Sequence, residues 1–192
     1  NRLVHIAAES KNSKILEMLI ALKADLNIVN KMLQTPIMFA VRNKRFDNIE
    51  LLLSQGVDLA LADSEGNTPM FYALETGDMR ILALLYNNNA PVIIINKKGN
   101  NLIHHCILKC PSNGKTNNDT EINKARIIRF LLEKGVSSEQ KNKDGKTPLE
   151  LVSDIIKGVN DTKKNNDLVM ELKNSVNEHF FNQNKIKENF QA

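Results

Sequence analysis

The sequence predicts an all-α fold: a solenoid of stacked helix-turn-helix units joined by β-hairpin-like finger loops. Three observations predict it. A helix-start motif recurs in QTPIMFA and GNTPMFYA, with Thr35 and Thr68 33 residues apart, and the same step reaches Arg2 and Asn101. A constant period of this length is the signature of a repeat architecture. Behind each motif lies a second stretch with apolar residues at i, i+3 and i+4: NSKILEMLIALKAD, FDNIELLLSQGVD, DMRILALLYNNNAP and NKARIIRFLLEKGV. That spacing marks one buried helical face. Finally, 42% of the 192 residues are hydrophobic, yet only 5% are aromatic and none is Trp. Thin stacked layers bury small and branched aliphatics and need few large rings.

The first helix of each unit opens at its anchor. Thr35-Pro36, Thr68-Pro69 and Thr147-Pro148 pair an N-cap hydroxyl, able to accept from an orphan N–H, with a residue that needs none. Gly66 suits the preceding turn and Gly77 the helix stop. The second helix ends at a fixed distance. Lys23, Gly56 and Asn89 fall 21 residues after their anchors, and Gly135 does so once 13 extra residues are removed. A positive φ is expected at each, with Lys23 the poorest fit. Leu33 stands where other units carry a turn Gly, at a cost of about 1 kcal/mol if φ stays positive. Leu52 and Leu84 read as core positions. The extra residues centre on PSNGKTNNDT, 111–120, whose composition is that of a surface loop.

GNTPMFYA, GKTPLELV and VHIAA, together with LLLSQGVD and LLEKGVS, resemble the ankyrin-repeat family. The resemblance covers about residues 2–156 and implies an ankyrin stack over 1–160. The units are 1–29, 30–62, 63–95, 96–141 with the 111–120 insertion, and 142–160. A capping helix and tail are expected over 161–192, where Leu168, Leu172, Val176 and Phe180 recur at i, i+4 steps. The chain begins with Asn inside a repeat, which reads as a fragment. His104 falls at the family's TPLH histidine, implying a local backbone hydrogen bond, and Cys106 at a small buried Ala.

The resemblance also implies a non-catalytic module that binds a protein partner on its concave surface of fingers and inner helices. Carried over by position, the binding residues are Val29, Ala62 and Ile95 at the finger sites; Lys31, Met32, Ser64, Glu65, Lys97, Lys98, Lys143 and Asp144 at the tips; Gln34, Asn67, Asn100 and Lys146 just before each anchor; and Arg42, Asn43, Glu75 and Thr76 on the first helices. The implied role is scaffold, adaptor or inhibitor; the alternative is the substrate-targeting segment of a larger enzyme, or of a microbial effector acting on a host protein.

Composition and motifs bound the rest. His104, His105, Cys106 and Cys110 invite a metal reading, but the histidines point about 100° apart and no second ligand pair follows. No nucleophile triad, phosphate loop or carboxylate pair stands out, so no cofactor and no catalytic residue is expected. The net charge of +4 is spread rather than clustered, which disfavours nucleic acid and suits an acidic protein partner. No apolar run is long enough for a membrane helix. Two Cys give no disulfide framework, fitting an intracellular, cytoplasmic monomer, or the host cytosol for a secreted effector.

Overall fold

The computed structural model describes residues 2–110 and 117–157. Among them are nine α-helices and no strand. The chain divides into two compact units, residues 1–97 and 98–192. The first holds three helix pairs: α1 (Leu3–Glu9) with α2 (Lys14–Ala21), α3 (Pro36–Arg42) with α4 (Phe46–Ser54), and α5 (Pro69–Thr76) with α6 (Met79–Asn87). The second holds α7 (Leu102–Lys109), α8 (Asn117–Glu133) and α9 (Pro148–Lys157).

The helix starts fall where Thr-Pro predicts, but for a different reason. Thr35 and Thr68 are extended, and Pro follows at the first helical position. Their hydroxyls, however, are buried without a hydrogen-bond partner. Backbone bonds close the turn instead, from the Met38 and Phe71 N–H groups to Thr35 O and Thr68 O at 3.1 and 3.0 Å. Met38 and Phe71 occupy the position that His5 and His104 fill in other repeats, and Met38 Sδ accepts from Thr35 N–H at 3.3 Å. In α9 the same position is Glu150, which does form a reciprocal cap. Its carboxylate accepts from Thr147 N–H at 2.7 Å, and Thr147 Oγ1 accepts from Glu150 N–H at 3.3 Å. The bond from Thr147 N–H first, and the Thr147 hydroxyl second, hold the Glu150 carboxyl below its usual pKa.

The second helices end in the left-handed region at all four predicted sites, with φ of 56° at Lys23, 67° at Gly56, 63° at Asn89 and 84° at Gly135. The geometry lets a following N–H reach back to an orphan carbonyl: Ala24 to Leu19, Ala90 to Leu85 and Val136 to Leu131, each 3.0 Å. Lys23 therefore adopts the conformation its neighbours reach with Gly or Asn.

Leu16, Ile49, Leu52, Ile81, Leu82 and Leu85 on the second helices are fully buried, as are Ile37, Met70, Phe71 and Leu74 on the first. Leu84 is half-buried rather than core; the helix phase gives the interior to Leu82 and Leu85. Adjacent pairs are also joined by polar bonds. The Asn48 amide donates to Ala7 O, Ala8 O and Ser10 O at 3.2, 2.9 and 2.9 Å, at the carbonyl end of α1. Arg45 Nε donates to Glu9 O at 2.8 Å.

Two expectations are revised or fall outside the description. Residues 117–120, expected within a loop, open α8. Residues 111–116 and the capping helix and tail expected over 161–192 lie outside the described residues.

Leu33 has φ 57°, so the expected strain is present. Leu33→Gly should raise the unfolding free energy by about 0.5–1 kcal/mol. Urea titration checks this, and a variant no more stable than the parent contradicts the strain assignment.

Candidate partner-binding face

The finger loops are built by one repeated device. A polar side chain at the finger's start accepts from two backbone N–H groups ahead of it. Asn30 Oδ1 accepts from Met32 and Gln34 at 2.9 and 3.0 Å. Asp63 Oδ1 accepts from Glu65 and Asn67, each at 2.8 Å. Asn142 Oδ1 accepts from Asp144 and Lys146, each at 3.0 Å. This is an Asx turn, available to Asn or Asp alike. Backbone bonds then link successive fingers. In the first unit Ser64 N–H donates to Met32 O and Lys97 N–H to Glu65 O, both at 2.8 Å; in the second Lys143 N–H donates to Lys98 O at 3.0 Å. The main chain at each tip is thus fixed while the tip side chains project.

Within the first unit the fingers are tied to the inner helices through Tyr72. Its hydroxyl donates to Asp63 Oδ2 at 2.6 Å and accepts from Gln34 Nε2 at 2.8 Å. The Arg42 guanidinium lies 4.7 Å from the Tyr72 ring centroid and 5.8 Å from that of Phe39. Burial first, and the bond to Asp63 second, push the phenol's pKa up to about 12. Asn67 extends the network, donating to Asp63 Oδ2 at 3.3 Å and accepting from Asn96 Nδ2 at 3.0 Å.

The expected binding residues therefore differ in availability. Lys31, Met32, Arg42, Glu65, Glu75, Ile95, Lys97, Lys98, Lys143 and Asp144 are exposed; Val29, Gln34, Asn43, Ala62, Ser64, Asn67 and Lys146 are half-buried; Thr76 and Asn100 are buried. Thr76 closes the end of α5, donating to Ala73 O at 2.7 Å. Asn100 accepts from Asn142 Nδ2 at 2.9 Å, and Lys146 Nζ pairs with Asp154. Asn43 Nδ2 donates to Phe39 O at 3.0 Å. Tyr72, Asp63, Leu33 and Ile93 were not anticipated at this face. The D-x-x-G pattern around Asp63 carried the signal for the turn; nothing in the spacing marks Tyr72 as its anchor.

The histidines serve the structure. His5 Nε2 lies 2.8 Å from Gln34 O and His104 Nε2 3.0 Å from Lys146 O. A carbonyl only accepts, so each ring carries its proton on Nε2. Burial lowers the His104 pKa and favours the neutral ring. Cys106 and Cys110 are free and buried; their mutual hydrogen bond, then burial, raise the Cys106 pKa well above the ordinary thiol value. Among the described residues no three His, Cys, Asp or Glu cluster as a metal site, and no helix is long and apolar enough to cross a membrane.

Helix pairs recurring every 33 residues, joined by bonded fingers, define a repeat protein of the ankyrin type. Residues 4–96 match the family model for ankyrin repeats, in three copies. Residues 4–96 are thus a run of ankyrin repeats, which are generally protein–protein interaction modules and typically non-catalytic. No curated protein matches the chain.

Proposed function

We propose that the chain is a non-catalytic interaction module that binds a protein partner through its finger face. The observation carrying this reading is the set of exposed apolar side chains on the fingers of the first unit. Met32, Leu33, Ile93 and Ile95 all stand in solvent, beside exposed Lys31, Glu65 and Lys97. Apolar groups held on a fixed main chain with a charged rim favour burial against a partner at small entropic cost. Arg42, parked over Tyr72, is a further anchor. Exposed Lys31 and Lys97 favour an acidic partner surface, speeding encounter more than deepening affinity. Tyr72, Gln34, Asp63 and Asn67 hold this face in shape rather than touch the partner.

Affinity capture from the native cell tests the reading. Met32→Glu and Ile95→Asp should each weaken the captured interaction by about tenfold or more, a loss of roughly 1.4 kcal/mol. Neither exposed site should shift the melting curve by more than about 0.5 kcal/mol. Capture of the same protein at the same strength by both variants would reject the finger face as the site.

A further inference from the structure

The Arg42 guanidinium is held ready for a bond that its own chain does not supply. Arg42 ends α3 and is exposed. Its guanidinium carbon lies 4.7 Å from the Tyr72 ring centroid and 5.8 Å from that of Phe39. Neither ring can turn away. Phe39 and Tyr72 are buried, and Gln34 and Asp63 both bond the Tyr72 hydroxyl. Stacking engages the flat face of a guanidinium and leaves the N–H groups around its edge able to donate. Among the described residues nothing accepts from those of Arg42. The carboxylate of the same network, on Asp63, is already engaged by Tyr72, by Asn67 and by two backbone N–H groups. Arg80 shows the finished arrangement. It too lies over a ring, 4.6 Å from the Phe46 centroid, but its edge is filled, with Nε and Nη2 donating to Asp78 at 3.0 and 2.7 Å.

We infer, resting on the finger-face reading, that Arg42 selects the partner by taking a carboxylate, from an Asp or Glu side chain carried beside an apolar one. The guanidinium fork matches the two oxygens of a carboxylate. The side chain is already fixed on its rings, so the pair forms at small ordering cost. The apolar neighbour is called for by Met32 and Leu33, exposed on the finger whose base, Gln34, holds the same Tyr72. Charge balance decides between oxyanions. One period on from Arg42, the adjacent helix α5 carries exposed Glu75. The floor here thus offers one cation beside one carboxylate. A singly charged carboxylate suits it, whereas a phosphate dianion would call for a second cation and be repelled by Glu75.

Selection of random displayed heptapeptides on the immobilised full chain tests this. Peptides enriched by the parent should carry Asp or Glu next to Leu, Ile, Met or Phe. Arg42→Gln should lose the acidic preference and keep the apolar one, and Arg42→Glu should exchange it for Lys or Arg. A synthetic copy of the best parent peptide should bind the Arg42→Gln chain about tenfold more weakly. Changing its acidic residue to Gln should weaken binding to the parent by about the same factor, and both changes together by little more than either alone. Arg42→Lys should stay at least about threefold weaker than the parent, since lysine keeps the charge but not the fork. The same peptide with phosphoserine at the acidic position should bind no more tightly. A parent that enriches no acidic peptide overturns the inference, as do acidic peptides held equally by Arg42→Gln or a phosphoserine peptide held about tenfold tighter. The two readings fail separately. Peptides released by Met32→Glu but indifferent to Arg42 leave the finger face standing and remove the carboxylate; peptides indifferent to Met32, Ile95 and Arg42 alike remove both.

Discussion

Leu52→Ala is expected to lower the unfolding free energy by about 2–5 kcal/mol. Leu52 is fully buried on α4, in the middle of three stacked pairs, so a cavity there loosens the layer that both neighbours lean on. In a repeat stack stability is close to a sum of weak layers and strong interfaces. Damage to a shared layer is therefore felt twice, which puts this site toward the upper part of the range. Leu84→Ala is the control. Leu84 is only half-buried, so less transfer energy is lost and the gap opens to solvent; about 1 kcal/mol is expected. Urea denaturation of the two variants beside the parent, with the slope monitored for two-state behaviour, measures both. A Leu84 variant as unstable as the Leu52 variant would invert the assignment of helix faces.

Leu84 also illustrates what the sequence leaves open. The i, i+3, i+4 pattern locates a helix and its apolar side, but LLALL-like runs hold apolar residues on adjacent phases. Only the neighbouring layer decides that Leu82 and Leu85 turn inward. Period, helix starts and helix ends were legible because they rest on local backbone chemistry, as with Pro36 and Pro69 at first helical positions or Gly56 and Gly135 at left-handed ends. The Thr35 and Thr68 hydroxyls show the opposite case. The residue type predicts a cap, yet burial beside Met38 and Phe71 leaves the oxygen without a partner. The candidate face divides the same way. Tips such as Met32 and Lys97 could be placed by counting along the period. Tyr72 could not, because its role comes from Gln34 and Asp63, which the chain brings to it from other segments. Asn100 was placed on the right loop, but its amide oxygen faces Asn142 rather than solvent.

Gly66→Ala is the second large effect, about 2–3 kcal/mol of destabilisation, and Gly56→Ala is its measure. Both glycines are left-handed, with φ of 81° and 67°, so both alanines carry the backbone penalty of about 1 kcal/mol. At Gly56 an added Cβ meets nothing within 4 Å, and the penalty stands alone. At Gly66 that Cβ would lie 2.8 Å from Lys97 N and 3.2 Å from Asn96 Cα. These are backbone atoms of the next finger and have no rotamer by which to withdraw. Lys97 N–H is also the donor to Glu65 O at 2.8 Å, so relieving the clash stretches an inter-finger bond worth about 1 kcal/mol. Leu33 shows what accommodation looks like. It carries a side chain at the equivalent turn at φ 57°, and Ser64 N–H still reaches Met32 O at 2.8 Å. Gly66 sits at a larger φ, so an alanine must pull its turn toward the Leu33 geometry against the bonds that Asp63 makes to Glu65 and Asn67. The expected signature is a Gly66 variant clearly less stable than the Gly56 variant, with lost amide protection at Lys97 in particular. Equal stabilities for the two alanines, with Lys97 still protected, would mean that the fingers are not coupled through this contact.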